Sequence, residues 1–145
     1  MKIGTLGNKM KITKIETIRI PEHPNLIWIK IHTDEGIIGL GESWFGAEAI
    51  EADIHSRIAP IILDKDPQKI ENIYSLMRPY VGFFGTGTEM RALSAIDVAI
   101  WDINAQIHNV PLYDLLGGKT RPKIKVYNTC AVSYTHLTLP TKRIV

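Results

Sequence analysis

Three acidic side chains, Glu48, Glu51 and Asp53, fall within six positions, with His55 and Arg57 just beyond them. Carboxylates and a histidine so close together are the raw material of a metal site or an acid–base pair. The segment around them repeats Ile50, Ile54, Ile58, Ile61 and Ile62 at helical spacing, so the acids belong on the outward side of a helix and read as a solvated face. Asp97 and Asp102 flank the apolar stripe of another helix; half-buried ion pairing, including toward Arg91, accounts for them better than catalysis does. His32 and His108 stand at element ends, where surface roles dominate. No Ser-His-Asp spacing, phosphate-cradling glycine loop or Cys-x-x-Cys is present. Cys130, the single cysteine, lies in a β-rich stretch and reads as a small buried apolar residue.

The elements that would carry these residues follow from periodicity. Residues 11–20, 26–33 and 37–43 are Ile-rich and alternate as strands do. Ile27, Ile29 and Ile31 share one face, with Trp28, Lys30 and His32 on the other. Asp34-Glu35-Gly36 turns the second strand into the third, with Gly36 free to take a positive φ. Gly39 and Gly41 weaken the third strand unless another backbone packs close to it.

From Ala47 the period becomes helical, with Pro60 expected to kink or end the first helix. Asp66-Pro67 reads as the capped start of a second, striped by Ile70, Ile73, Tyr74 and Met77. Thr88 is expected to cap a long helix over 89–108. Its stripe of Ala92, Ala95, Ile96, Ala99, Ile100 and Ile103 invites close approach by a neighbour. Its other side holds Ser94, Val98 and Trp101, hardly a solvated face, so the helix is expected to be buried on both sides. Pro111 opens a short helix that Gly117-Gly118 stops. The fold class is therefore α+β: a three-stranded antiparallel meander followed by a helical bundle. The strand-like KIKVYNTCA (123–131) stands outside that plan.

Charge and composition exclude several functions. The net charge of +2 comes from Lys2 and Lys9 at one end and Lys142 and Arg143 at the other, leaving 13 basic against 15 acidic residues over 10–131. Only 117–125 gathers basic residues, so no nucleic-acid partner is expected. No apolar run approaches the roughly 18 residues of a membrane span, and no secretory leader is evident. With one cysteine, the expected compartment is the reducing cytoplasm.

Two stretches carry a family resemblance: TDEGIIGLGES (33–43) and ALSAIDVAIWDINAQIHNVPLYDLLGG (92–118). Together they resemble the N-terminal capping domain of the enolase superfamily, in its mandelate racemase/muconate lactonizing enzyme branch, and are similar to sugar-acid dehydratases of the galactonate type. The resemblance covers residues 10–131. It implies an N-terminal extension at 1–9, the cap at 10–118, and a linker with the first strand of a TIM barrel at 119–131. A barrel of that kind takes on the order of 250 residues, so the chain reads as the fragment of a longer enzyme. Residues 132–145 depart from the family pattern and read as a disordered or foreign tail.

For the parent, the resemblance implies a lyase or isomerase that removes the proton α to the carboxylate of a small sugar acid. Dehydration or racemisation would follow, and a magnesium ion held by barrel carboxylates would stabilise the enediolate. It also implies a homo-oligomer. No catalytic or metal-binding residue falls within this chain, and no metal is expected on it; the chain alone is expected to be inactive. What the cap contributes in relatives is specificity, through two loops that map to Pro21–Asn25 and Ser43–Gly46. His23 and Asn25 are placed to hydrogen-bond a polyhydroxy acid, and Trp44 and Phe45 to exclude water. The plainer alternatives are a surface histidine and aromatics packed on the helices. A self-standing protein-interaction module is the rival reading of the whole chain. Exposed apolar faces on the long helix and the barrel strand are expected to drive self-association.

Overall fold

A computed structural model describes residues 9–78 and 87–126. Strands β1 (Ile12–Ile18), β2 (Leu26–Thr33) and β3 (Ile38–Trp44) form one antiparallel sheet in the order β1-β2-β3. The alternation in β2 is realised as expected: Ile27, Ile29, Ile31 and Thr33 are buried, and Trp28, Lys30 and His32 are half-buried on the opposite face. At the β2–β3 turn Gly36 has φ 80°. Buried Thr33 is satisfied there twice, donating from Oγ1 to the Ile37 carbonyl at 2.9 Å and accepting from the Ile37 amide at 3.0 Å. The Asp34 carboxylate also accepts from the Lys11 amide at 2.8 Å, tying the turn to the chain entering β1.

Helix α1 (Ala47–Asp53) runs through a π-helical stretch at Ile54–Ile58 into α2 (Ala59–Ile62). Of the two outcomes expected of Pro60, a kink or an end, the end does not occur. The preceding turn widens instead, the Ala59 amide reaching back to the Ile54 carbonyl, and a widened turn gives the proline ring room. Asp66 does not cap α3 (Ile70–Met77) directly; it accepts from the Gln68 amide at 2.9 Å, an Asx turn just ahead of the helix. Thr88 lies inside α4 (Gly87–His108) rather than capping it, because Gly87, at φ 84°, already makes the entry turn.

α4 ends with Asn109 left-handed at φ 52°, the Val110 amide bonded to the Ala105 carbonyl and the Asn109 amide to that of Gln106. That is a Schellman end with Asn in the glycine position. Helix α5 (Leu112–Leu115) stops in the same way on Gly117.

The core lies between the sheet and α4 and is built mainly of isoleucine. Ile12, Ile27, Ile29 and Ile31 from the sheet meet Ile50, Ile54, Ile58 and Ile62, with Ile96, Ile100 and Ile103 from α4. Each such side chain contributes roughly 1.5–3 kcal/mol when fully buried. β3 lies directly on α4, which explains both its glycines and the alanines opposite. A β-carbon on Gly39 would stand 2.1 Å from the Ala99 carbonyl oxygen.

α4 is buried on one side only. Val98 is 45% exposed and Ser94 is exposed, while Trp101 is half-buried. Residues 123–126, expected to begin a barrel strand, form no strand, and Ile124 and Val126 are 78% and 89% exposed. A strand needs a neighbour to pair with, and among the described residues this segment has none. The rest of that expected strand, Cys130, the 132–145 tail and the first eight residues lie outside the described residues. No helix among the described residues is long and apolar enough to cross a membrane.

Candidate functional site in the cap loops

The sheet and α4 bring the two expected loops together at one end of the domain. The turn after β1 is held locally, the His23 amide bonding the Ile20 carbonyl at 3.1 Å and the Leu26 amide bonding that of His23 at 2.9 Å. Its last residue, Asn25, accepts through its carbonyl from the Phe45 amide at 2.8 Å, so the two loops are joined. Leu26 pairs with Trp44 in the sheet, which sets the register of this junction.

Trp44 and Phe45 are 60% and 61% exposed, so they do not bury against the helices. They pack edge to face, centroids 5.9 Å apart at 67°. Phe45 sits at φ 68° and Gly46 at φ 83°. A left-handed conformation costs a residue with a β-carbon about 1–2 kcal/mol, so the corner stands only because its neighbours hold it. Arg91 does so from α4: it donates from Nη1 to the Trp44 carbonyl at 2.8 Å and lies 5.4 Å from the Phe45 ring centroid. An open depression of about 650 Å³ runs beside this corner, lined by Glu42, Ser43, Trp44, Met90, Arg91 and Ser94. His23 and Asn25 are exposed on the adjoining turn and do not line it.

The other candidates resolve into scaffold. Glu48, Glu51, His55 and Arg57 do not simply face solvent. Arg19, just past the end of β1, pairs with Glu51 at 2.9 Å and with Glu48 at 3.0 Å. Thr17 donates to Glu51 at 2.8 Å and lies 2.9 Å from His55 Nε2. A hydroxyl, an imidazole and a carboxylate therefore meet here, but not as a nucleophilic triad. The carboxylate bonds the hydroxyl rather than the far imidazole nitrogen, which it would have to orient. Arg57 grips Asp53 with two donors, at 2.8 and 2.6 Å, and gives a third to the Met77 carbonyl at the end of α3.

Arg91 binds the Trp44 carbonyl and Phe45 rather than either aspartate of α4. Asp102 instead accepts from the Leu40 amide at 2.9 Å, and Gln106 donates to the Ile38 carbonyl at 2.8 Å. Two side chains of α4 thus satisfy the free edge of β3. Burial, and second the Glu71 carboxylate, hold the Asp97 carboxyl above the ordinary aspartate range. Among the described residues no three His, Cys, Asp or Glu side chains converge to hold a metal. The acids here already serve other partners: Asp53 holds Arg57, Glu51 holds Arg19 and Thr17, Glu16 meets His32 and Lys14, and Asp34 and Asp102 accept from backbone amides, so these five do not fit the cation that the resemblance implies.

A model of the mandelate racemase / muconate lactonizing enzyme N-terminal domain matches residues 12–117, including the three strands and five helices among the described residues. The chain belongs to this family. D-galactonate dehydratase of Pectobacterium atrosepticum is 40% identical over 121 residues, covering 82% of this chain and 31% of that protein. A D-galactonate dehydratase family member of Marinomonas is 36% identical over 120 residues. Among solved structures, an enolase protein from Sargasso Sea environmental sequence superposes with TM-score 0.79 at 46% identity, covering 83% of this chain and 33% of that one. An enolase of the mandelate racemase subgroup from Agrobacterium tumefaciens gives 0.75 at 48% identity, covering 77% and 31%. The chain thus spans about a third of the length of the relatives it matches, and the mandelate racemase / muconate lactonizing enzyme N-terminal domain is the part it holds. Arg91 is the residue of this site that sequence alone had assigned elsewhere; only a contact across 47 positions reveals its partner.

Proposed function

We propose that this chain is the specificity cap of a magnesium-dependent enolase-superfamily enzyme that dehydrates a small sugar acid of the galactonate type. The observation that carries this reading is the 40% identity to D-galactonate dehydratase over 121 residues, 82% of this chain. In the reaction, the C–H bond α to the carboxylate breaks and its electron pair passes into the carboxylate as an enediolate. The pair then returns to expel hydroxide, as water, from the neighbouring carbon; racemisation is the outcome if the proton is returned instead.

Base, acid and cation belong to the barrel in this reading, and the cap's residues select and shield. Trp44 and Phe45 present an exposed aromatic wall that excludes water, and His23 and Asn25 meet the substrate hydroxyls from the adjoining turn. The 145-residue chain alone turns nothing over.

The test is a sugar-acid screen with magnesium on two proteins, this chain and the full-length enzyme bearing this cap. Dehydration of galactonate or a close epimer by the longer protein only is the expected result. Turnover by the isolated chain, or a longer protein inert toward every sugar acid, would overturn the reading.

A further inference from the structure

One peptide group occupies a singular position in the cap. The carbonyl of Trp44 and the amide of Phe45 belong to the same peptide plane. The carbonyl accepts from Arg91 Nη1 at 2.8 Å and the amide donates to the Asn25 carbonyl at 2.8 Å. The plane is therefore gripped on one side by α4 and on the other by the 21–25 turn. It is followed at once by two left-handed residues, Phe45 at φ 68° and Gly46 at φ 83°. The guanidinium that holds the carbonyl also lies against the ring of Phe45, 5.4 Å from its centroid.

We propose that Arg91 is the positioning residue of the cap: by clamping the Trp44–Phe45 peptide it fixes the strained corner, joins the two loops into one unit and aims the aromatic pair. The inference deepens the specificity-cap reading and rests on it for the meaning of the aromatic wall. The clamp itself stands on the geometry alone. A charge-assisted bond to a carbonyl and a cation against a ring act on consecutive residues, so removing Arg91 releases both at once. With the clamp gone, the peptide is free to rotate, the left-handed corner relaxes, and the amide of Phe45 leaves the Asn25 carbonyl. A lysine in its place keeps the charge but not the planar fork, and restores only part of the hold.

The test reads the corner directly in this chain. Amide exchange at Phe45 is expected to quicken by about tenfold or more in Arg91→Ala, the scale of one lost charge-assisted bond. Exchange at Ile29, inside β2, stays as it was, and Arg91→Lys falls between. In a Trp28→Phe, Trp101→Phe background, Trp44 emission shifts in the same order. If the alanine variant does not fold, the lysine variant read at the same amide decides. Unchanged exchange at Phe45, or an equal rise at Ile29, would overturn the clamp.

In the full-length enzyme, Arg91→Ala then raises KM for the sugar acid more than it lowers kcat. A changed Phe45 amide without any sugar-acid activity would sink the substrate reading and leave the clamp standing. Activity with an indifferent Phe45 amide would do the reverse.

Discussion

A β-carbon on Gly41 would stand 2.0 Å from the carbonyl oxygen of Ala95. The carbonyl is backbone and a β-carbon is fixed rigidly to its own main chain, so no side chain can swing away to relieve the clash. Gly41→Ala must therefore push β3 off α4, opening the interface that holds the Ile core. Overpacking typically costs about 1–3 kcal/mol, and the upper end or beyond is expected here. Urea unfolding of the variant beside the parent measures it; a loss below about 0.5 kcal/mol would mean that sheet and helix are not so close.

Asp102 and Gln106 cover the outer edge of β3 with side-chain hydrogen bonds. Asp102→Ala leaves the Leu40 amide without its acceptor and is expected to cost about 1–2 kcal/mol. It also bares a strand edge beside exposed Leu40 and Ile38, so light scattering should rise with concentration more steeply than for the parent. Asp102→Asn, which keeps an acceptor oxygen, should aggregate less than the alanine variant.

Asp97 gives a pH dependence of definite sign. Its carboxyl is raised by burial first and by Glu71 second, so the folded chain holds its proton more tightly than the unfolded chain. Stability from this group falls as pH rises from the ordinary aspartate range through the raised value, and stays lower above it. Asp97→Asn should therefore be more stable than the parent at pH 7, and the gain should vanish below about pH 3.5. Glu16 acts in the opposite sense. The hydrogen bond from His32, and then the charge of Lys14, lower its carboxyl, so its contribution is present at neutral pH and is lost on acidification. Unfolding midpoints of the two single variants (Asp97→Asn and Glu16→Gln) across pH 3–8 separate the two slopes.

Asn109 holds the left-handed position that ends α4, where glycine carries no β-carbon penalty. Asn109→Gly should stabilise the chain by a few tenths to about 1 kcal/mol, since relief of the strained φ outweighs the extra freedom of the unfolded glycine. A thermal midpoint that falls instead would show that the Asn side chain is needed there.

Sequence reasoning reached what periodicity and local chemistry encode. The Ile alternation of β2 specified its buried face. The glycines of β3 and the alanines of α4 announced each other, since neither makes sense without a close neighbour. What stayed hidden depends on contacts distant in sequence. Pro60 reads as a helix kink or end because proline forbids the ordinary bond, and nothing local says that a widened turn will absorb it. Asp102 looks like an ion-pairing residue until β3 is seen to lie beside it with an unpaired amide 62 positions away. Arg91 was assigned to the aspartates because charge suggests charge, whereas the structure gives it a carbonyl and a ring. The aromatic pair at 44–45 was legible as a loop feature, but its exposure was not, because side-chain burial at a corner is decided by the elements around it.

Of the 22 buried apolar residues described, 13 are isoleucine, contributed by the sheet, the α1–α2 helix, α3 and α4. One spectroscopic label can therefore see nearly the whole interior at once. A sample enriched only at isoleucine δ-methyl carbons would place a probe on each wall of the domain. On the function proposed here, docking of a barrel and closure over a sugar acid, like loosening by a point change, could then be followed through shifts of a single set of resonances.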